Sequence, residues 1–290
     1  MASPFYQAIA GKFVILGKQP DGDSVRFIAD NPDYEQLQRS FRIKLSRDRS
    51  VQLRLEGIDT PEVHYGSDAQ ILGDKARDRL LDLIGFDNIK FKGNQVQSAD
   101  PDTVSGAILS QAADANGRPI SYVLVGESAN QVKDGKWTRV DADLLRTTIN
   151  FQMLTEGAAY YTVYTSTPLE HRRLLRQEAL SARNDNLGVW AEDATSEFEL
   201  VDKKSITAPN GQLILPKLFR RSIDYLKAVD KGFRGNLKDW LIENSKGSRN
   251  ENDRVVTSDG VEVNLSDLIQ QRNSRVAFQA DLLNITFVEK

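Results

Sequence analysis

The chain has 290 residues, 40% of them hydrophobic and 27% charged, with a formal net charge of −3 and no cysteine. Such proportions allow a real core and exclude wholesale disorder, and the lack of cysteine excludes disulfide frameworks and thiolate metal sites. The mild acidity argues against a protein that coats nucleic acid through a broadly basic surface, so any such contact is expected to be local and metal-assisted.

In chain order, Met1 to Leu16 shows no basic start, long apolar run or small-residue cleavage site. Cytoplasmic residence and secretion after processing both stay open. Lys12 to Gly17 reads as a strand, Asp21-Gly22-Asp23 as a turn and Ser24 to Ala29 as a second strand. Residues 30–49 are polar and irregular. Val51 to Ile58 gives a third strand, with Leu53, Leu55 and Gly57 on one face. Asp68 is a candidate cap for a helix from Ala69 to Ile84, whose apolar face carries Ile71, Leu72, Leu80, Leu81 and Leu83. Asn88 to Phe91 reads as a fourth strand and Pro119 to Val125 as a fifth. Between them, residues 93–116 are rich in Gln, Ser, Ala, Asp and Asn and read as a surface insertion. Helices are expected at Asp141–Glu156 and, started by Pro168, at Leu169–Ala182. Five short strands with interspersed helices suit a small closed barrel.

The chain turns acidic and aperiodic from Glu192 to Glu199. A boundary there divides a domain of residues 1–198 from an annex of residues 199–290. In the annex Leu215–Val229 and Leu237–Asn244 read as helices. Val255–Leu265 reads as a hairpin around Asp259-Gly260, and Ser274–Val288 as further strand. Residues 203–249 carry eleven Lys and Arg against four Asp and Glu, a net +7 that includes Lys203, Lys204, Lys217, Arg220 and Arg221. This is either a solvated helical face or an auxiliary surface for a nucleic-acid backbone. No stretch approaches the roughly 20 apolar residues that span a bilayer, so no membrane partner is expected.

Reactive residue types concentrate in four segments: Asp21-Gly22-Asp23-Ser24-Val25, Arg54-Leu55-Glu56-Gly57-Ile58-Asp59-Thr60-Pro61-Glu62, Gly117-Arg118-Pro119-Ile120-Ser121-Tyr122 and Gly188-Val189-Trp190. Hydrolysing a phosphodiester needs an activated water and positive charge on the phosphoryl oxygens. A hard divalent cation on carboxylate and carbonyl oxygens supplies part of that charge. Arginine supplies more, through a planar fork that meets two phosphate oxygens at once. Arg54 lies on a strand flanked by leucines, where a buried guanidinium needs a partner or an anion. Asp59 and Glu62 follow just past its end, and Thr60-Pro61 bends the chain so that the side chains converge.

In order and spacing these segments resemble the staphylococcal nuclease (thermonuclease) family. The resemblance spans Asp21 to Trp190 and implies an α+β fold: a five-stranded OB-fold-type β-barrel with flanking helices, here followed by a small α+β C-terminal annex. It also implies calcium-dependent cleavage of DNA or RNA to 3′-phosphate products, with single strands preferred. By position, Asp23 and Asp59 match the calcium-ligating carboxylates, and Thr60 the residue whose carbonyl completes the protein ligands. Glu62 matches the proposed general base, and Arg54 and Arg118 the phosphate-binding arginines. Asp21 matches a carboxylate that shapes the site. Ser24 departs from the commoner threonine. The tyrosines of Tyr160-Tyr161-Thr162-Val163-Tyr164 do not match the family spacing cleanly, and Tyr164 is the candidate substrate contact. Barrels of this family also serve as noncatalytic nucleic-acid- or protein-binding modules, which typically lose catalytic residues; none is lost here. His64 reads as a rim residue and Trp190 as a core anchor. The annex is a candidate surface for a protein partner.

Overall fold

The computed structural model describes residues 3–32, 37, 41–246 and 250–289. Residues 33–36 and 38–40 of the expected irregular stretch, and 247–249 of the basic stretch, lie outside it.

The first strand, β1 (Phe5–Val14), begins well before Lys12, because Tyr6, Ala8 and Ile9 are buried too. Small residues at Ala8, Ala10 and Gly11 make that half look featureless in sequence. β1 pairs antiparallel with β2 (Arg26–Ala29), setting Phe13 opposite Phe27. Next come β3 (Val51–Gln52), β4 (Arg54–Leu55) and β5 (Ile58–Asp59). β3 and β4 are two halves of one segment. The first half pairs antiparallel with β2, and the second pairs parallel with β9 (Pro119–Val125). With β8 (Thr103–Ala113) between β1 and β9, the sheet order β3-β2-β1-β8-β9-β4 starts and ends on the same segment, and the barrel closes there.

The strand between β1 and β9 corrects the sequence reading. It is β8 (Thr103–Ala113), eleven residues that register against both neighbours. It lies inside the stretch expected to be a surface insertion. Ala107, Ile108, Leu109 and Ser110 are buried, and their interruption by small and polar residues hid the pattern. The expected fourth strand instead falls in β6 (Asp87–Lys92), which makes a separate hairpin with β7 (Gln95–Asp100). The fold is α+β, a nearly closed OB-fold-type barrel with flanking helices.

Among those helices, α1 (Gly73–Ile84) starts later than expected, after Leu72 in a left-handed conformation. Asp68 does not cap it; that side chain pairs with Lys203 at 3.1 Å. After α2 (Gly126–Ala129) and β10 (Trp137–Arg139), which extends the sheet beside β1, the single helix expected at 141–156 divides in two. Asp141 caps α3 (Ala142–Arg146) and Thr148 caps α4 (Ile149–Thr155), each through its side-chain oxygen. β11 (Tyr160–Tyr161) pairs with β5, then α5 (Leu169–Asn184) and α6 (Val189–Glu192) complete this part.

β12 (Glu197–Glu199), which crosses the boundary expected at 198/199, joins a three-stranded sheet with the annex strands β15 (Ile269–Arg272) and β16 (Arg275–Phe278). Helices α7 (Pro216–Asp230) and α8 (Leu237–Glu243) lie between them in sequence. A second small sheet contains β13 (Arg254–Val256), β14 (Glu262–Asn264) and β17 (Thr286–Phe287). The annex is stitched to the barrel part. Phe287 donates its N–H to Val163 at 2.9 Å and accepts from Thr165 at 2.8 Å. Its apolar side chains, Leu218, Phe219 and Ile223 of α7 among them, join the same buried cluster as the barrel. No helix among the described residues is long and apolar enough to cross a membrane.

Candidate active site

The site lies where the closing segment β3–β4 runs on through β5 into residues 60–63, with the Asp21–Ser24 turn beside it. Asp21 and Ser24 exchange backbone hydrogen bonds, and Leu55 donates its N–H to the Asp23 carbonyl at 2.9 Å. The turn is thereby locked against the strand that carries Arg54. Gly22 is required by space rather than by φ: a Cβ there would stand 2.6 Å from Thr60 Oγ1 and 2.9 Å from the Ala76 Cβ. Gly73 plays the same part at the start of α1, where a Cβ would meet the Glu62 carbonyl at 2.5 Å. Gln70 accepts from the Glu62 N–H and donates its own N–H back to the Glu62 carbonyl, holding the bend that Thr60-Pro61 begins.

This backbone brings four carboxylates into one electrostatic unit. Asp21 Oδ1 accepts from the N–H groups of Gly22 and Val63 at 2.9 and 3.3 Å. Burial, then the neighbouring Asp23 charge, raises Asp21 to about 7. Burial, then Asp59 and Glu62, raises Asp23 to about 7, while Arg220 and Arg118 pull it down. Glu62 is also raised to about 7, chiefly by burial, with Asp21 and Asp59 adding to it and Arg220 opposing. Asp59 is 5% exposed and Thr60 2%. The Thr60 hydroxyl is buried without a hydrogen-bond partner.

The expected arginines flank this group. Arg54 Nη2 donates to the Tyr164 hydroxyl at 2.6 Å, and its guanidinium lies 4.7 Å from that ring's centre. Its charge is felt by Asp59 and Asp114. Arg118 forms a forked pair with Asp114, Nε at 2.8 Å and Nη2 at 2.7 Å. Asp114 in turn accepts the Arg118 N–H, so the arginine is aimed by its own turn. Tyr164 takes a second donor, Lys217 Nζ, at 2.9 Å. Burial raises the phenol, but Lys217 and Arg54 outweigh it, and its pKa falls below the ordinary value. His64 Nδ1 is 3.9 Å from Asp21 Oδ2 at the rim.

The charge that sequence reasoning did not place here is Arg220. From α7 it reaches Asp59 with both Nη atoms at 3.2–3.4 Å and also contacts Glu62 Oε1. Lys217 and Arg220, three apart on α7, therefore face the site together. The net basic charge of 203–249 was the only signal, and charge alone does not say which face a helix presents. By donor chemistry, Asp23, Asp59 and the Thr60 carbonyl suit a hard divalent cation. In the described arrangement, however, no group of three or more His, Asp or Glu side chains among the described residues is set to hold one. The guanidinium takes the carboxylate oxygens instead.

Residues 52–192 match the family model described as staphylococcal nuclease homologue. The chain carries a domain of the staphylococcal nuclease family. No curated protein matches the chain. The staphylococcal nuclease match begins within the closing segment and ends at α6, so β1 and β2, which complete this barrel, precede it, and the annex follows it.

Proposed function

We propose that the chain is a phosphodiester hydrolase acting on DNA or RNA. The observation that carries this reading is the meeting of Asp21, Asp23, Asp59 and Glu62 with Arg54 and Arg118 at the point where the barrel closes. In this reading Glu62, held near neutrality, takes a proton from the attacking water. Arg54 and Arg118 receive the charge that develops on the phosphoryl oxygens. Their partners Tyr164 and Asp114 hold the guanidinium planes in place beforehand, so little reorganisation is needed when substrate arrives. Asp21 keeps the turn bearing Asp23 against the Val63 N–H. Calcium is the proposed cofactor, to be held by Asp23, Asp59 and the Thr60 carbonyl. It would supply Lewis-acid charge to the phosphoryl group.

The test is digestion of single-stranded DNA, double-stranded DNA and RNA with calcium, magnesium or chelator, and analysis of the product ends. Cleavage to 3′-phosphates that is lost in Arg54→Ala supports the reading; absence of cleavage on every substrate sinks it. One observation favours a second reading, a noncatalytic nucleic-acid- or protein-binding module. Arg220 engages both the base candidate and a metal-ligand candidate. Binding of nucleic acid without turnover under all these conditions would support that alternative.

A further inference from the structure

The candidate site contains one more member than the family pattern supplies. Arg220 Nη1 and Nη2 lie 3.2–3.4 Å from the two oxygens of Asp59, and Nη1 also contacts Glu62. Its charge also reaches Asp21 and Asp23. One guanidinium thus serves four carboxylates.

The position is built, not incidental. Ile214, two residues before α7, accepts a 2.7 Å hydrogen bond from Gln70, the residue that also braces Glu62. Leu218, Phe219, Ser222 and Ile223 are buried on either side of Arg220 in sequence. Arg221 pairs with Glu251 and with Asp253 at 3.0 Å, and the next turn is tied down by the Tyr65 hydroxyl donating to Asp224. Lys217, one turn earlier, is 6% exposed, 3.7 Å from Asp253, and donates to Tyr164, the partner of Arg54. The helix is held on both sides of the arginine, and the side chain is delivered to the carboxylates by the fold.

A divalent ion at Asp23 and Asp59 needs the same lone pairs, at about 2.3–2.6 Å for calcium. Nitrogens already hydrogen-bonded to both Asp59 oxygens compete with it for them. Two cations a few ångströms apart in a partly buried pocket also repel strongly. We infer that Arg220 is the resident counter-ion of Asp59 and Glu62, and that guanidinium and divalent cation exclude each other. Cation choice at this site is then set by the annex, not by the barrel alone. This deepens the hydrolase reading above and rests on it for the site's purpose, but not for its measurement.

The experiment titrates CaCl₂ calorimetrically into the full-length protein and into Arg220→Gln and Arg220→Lys, with folding checked by far-ultraviolet circular dichroism. Arg220→Gln is expected to bind calcium at least tenfold more tightly than the parent, and Asp59→Asn in that background to abolish the gain. Arg220→Lys, with one compact head that does not span Asp59 and Glu62, is expected to fall between and serves if the glutamine variant does not fold. Equal affinities in parent and variants, or equal absence of binding, overturn the inference. Cleavage by the parent in chelator that Arg220→Gln loses also overturns it, because Arg220 would then be the working cation. A glutamine variant that binds calcium tightly but cuts nothing leaves the competition standing and removes the hydrolase reading.

Discussion

Asn150 offers a direct test of how the barrel's closure supports the site. It is fully buried on α4, a polar side chain in an apolar cluster. Its Oδ1 accepts the Val123 N–H at 3.0 Å, and its Nδ2 donates to the carbonyls of Glu56 and Ser121 at 2.9 and 3.0 Å. One amide therefore ties α4 to β9 and to the link between Arg54 and Asp59. In Asn150→Ala the Ser121 carbonyl keeps a partner, the Glu56 N–H at 3.0 Å. The Val123 N–H and the Glu56 carbonyl lose the amide. Each buried group so orphaned costs about 1–3 kcal/mol, so the variant is expected to lose about 3 kcal/mol. Its Tm should fall by about 6–12 °C on the usual scaling for larger domains. Urea unfolding followed by tryptophan fluorescence measures the loss. Asn150→Asp keeps the acceptor but turns a carboxylate toward two carbonyls, and at neutral pH should lose at least as much. A loss below about 1 kcal/mol in Asn150→Ala would refute the claim that this amide clasps the closing segment.

Further outcomes follow from the charges. Arg54→Ala and Arg118→Ala are each expected to reduce kcat by about 10²–10³ with the fold retained, read in a single-stranded DNA digestion assay. Full activity in Arg118→Ala would remove that residue from the mechanism. With Glu62 raised to about 7, the deprotonated base accumulates as pH rises, so kcat/KM should climb through about pH 7 and the limb should vanish in Glu62→Gln. Asp21, Asp23 and Glu62 all have raised folded-state pKa values, so the folded protein holds protons that the unfolded chain has released. Their contribution to stability is therefore fully present below the ordinary carboxylate range and is lost as pH rises to about 7. Because Arg220 opposes all three shifts, Arg220→Gln should lower Tm more at pH 8 than at pH 5 in chelator. An equal loss at both pH values would contradict the shared-counter-ion picture.

Much of the site was legible because its parts are contiguous. Arg54 to Glu62 passes from a strand through Thr60-Pro61 within nine residues, and Asp21-Gly22-Asp23 is a turn signal in its own right. Such pieces are written in local chemistry: a β-rich run, a turn residue, a proline. The third strand, the fifth strand and the helices α5, α7 and α8 were readable for the same reason, since apolar spacing over one element reports the face it buries. The helix expected at 141–156 failed only in its middle, where Thr148 caps α4 and so divides it from α3.

Two features required the folded chain. Residues 103–113 are too poor in large apolar side chains to announce a strand, yet β8 sits between β1 and β9 because both neighbours supply its hydrogen bonds and its cover. Its β1 partners, from Val14 opposite Thr103 to Gln7 opposite Ser110, lie so far off along the chain that they leave no local trace. Likewise Arg220 is one of eleven basic residues in its stretch, and nothing in its sequence neighbourhood separates it from the rest. Its role arises only when α7 packs beside residues 59–62 and a guanidinium meets buried carboxylates that need a cation. Local chemistry names the reactive groups; long-range packing decides which charges they meet, because electrostatic partnership depends on distance in space and burial, not on separation along the chain.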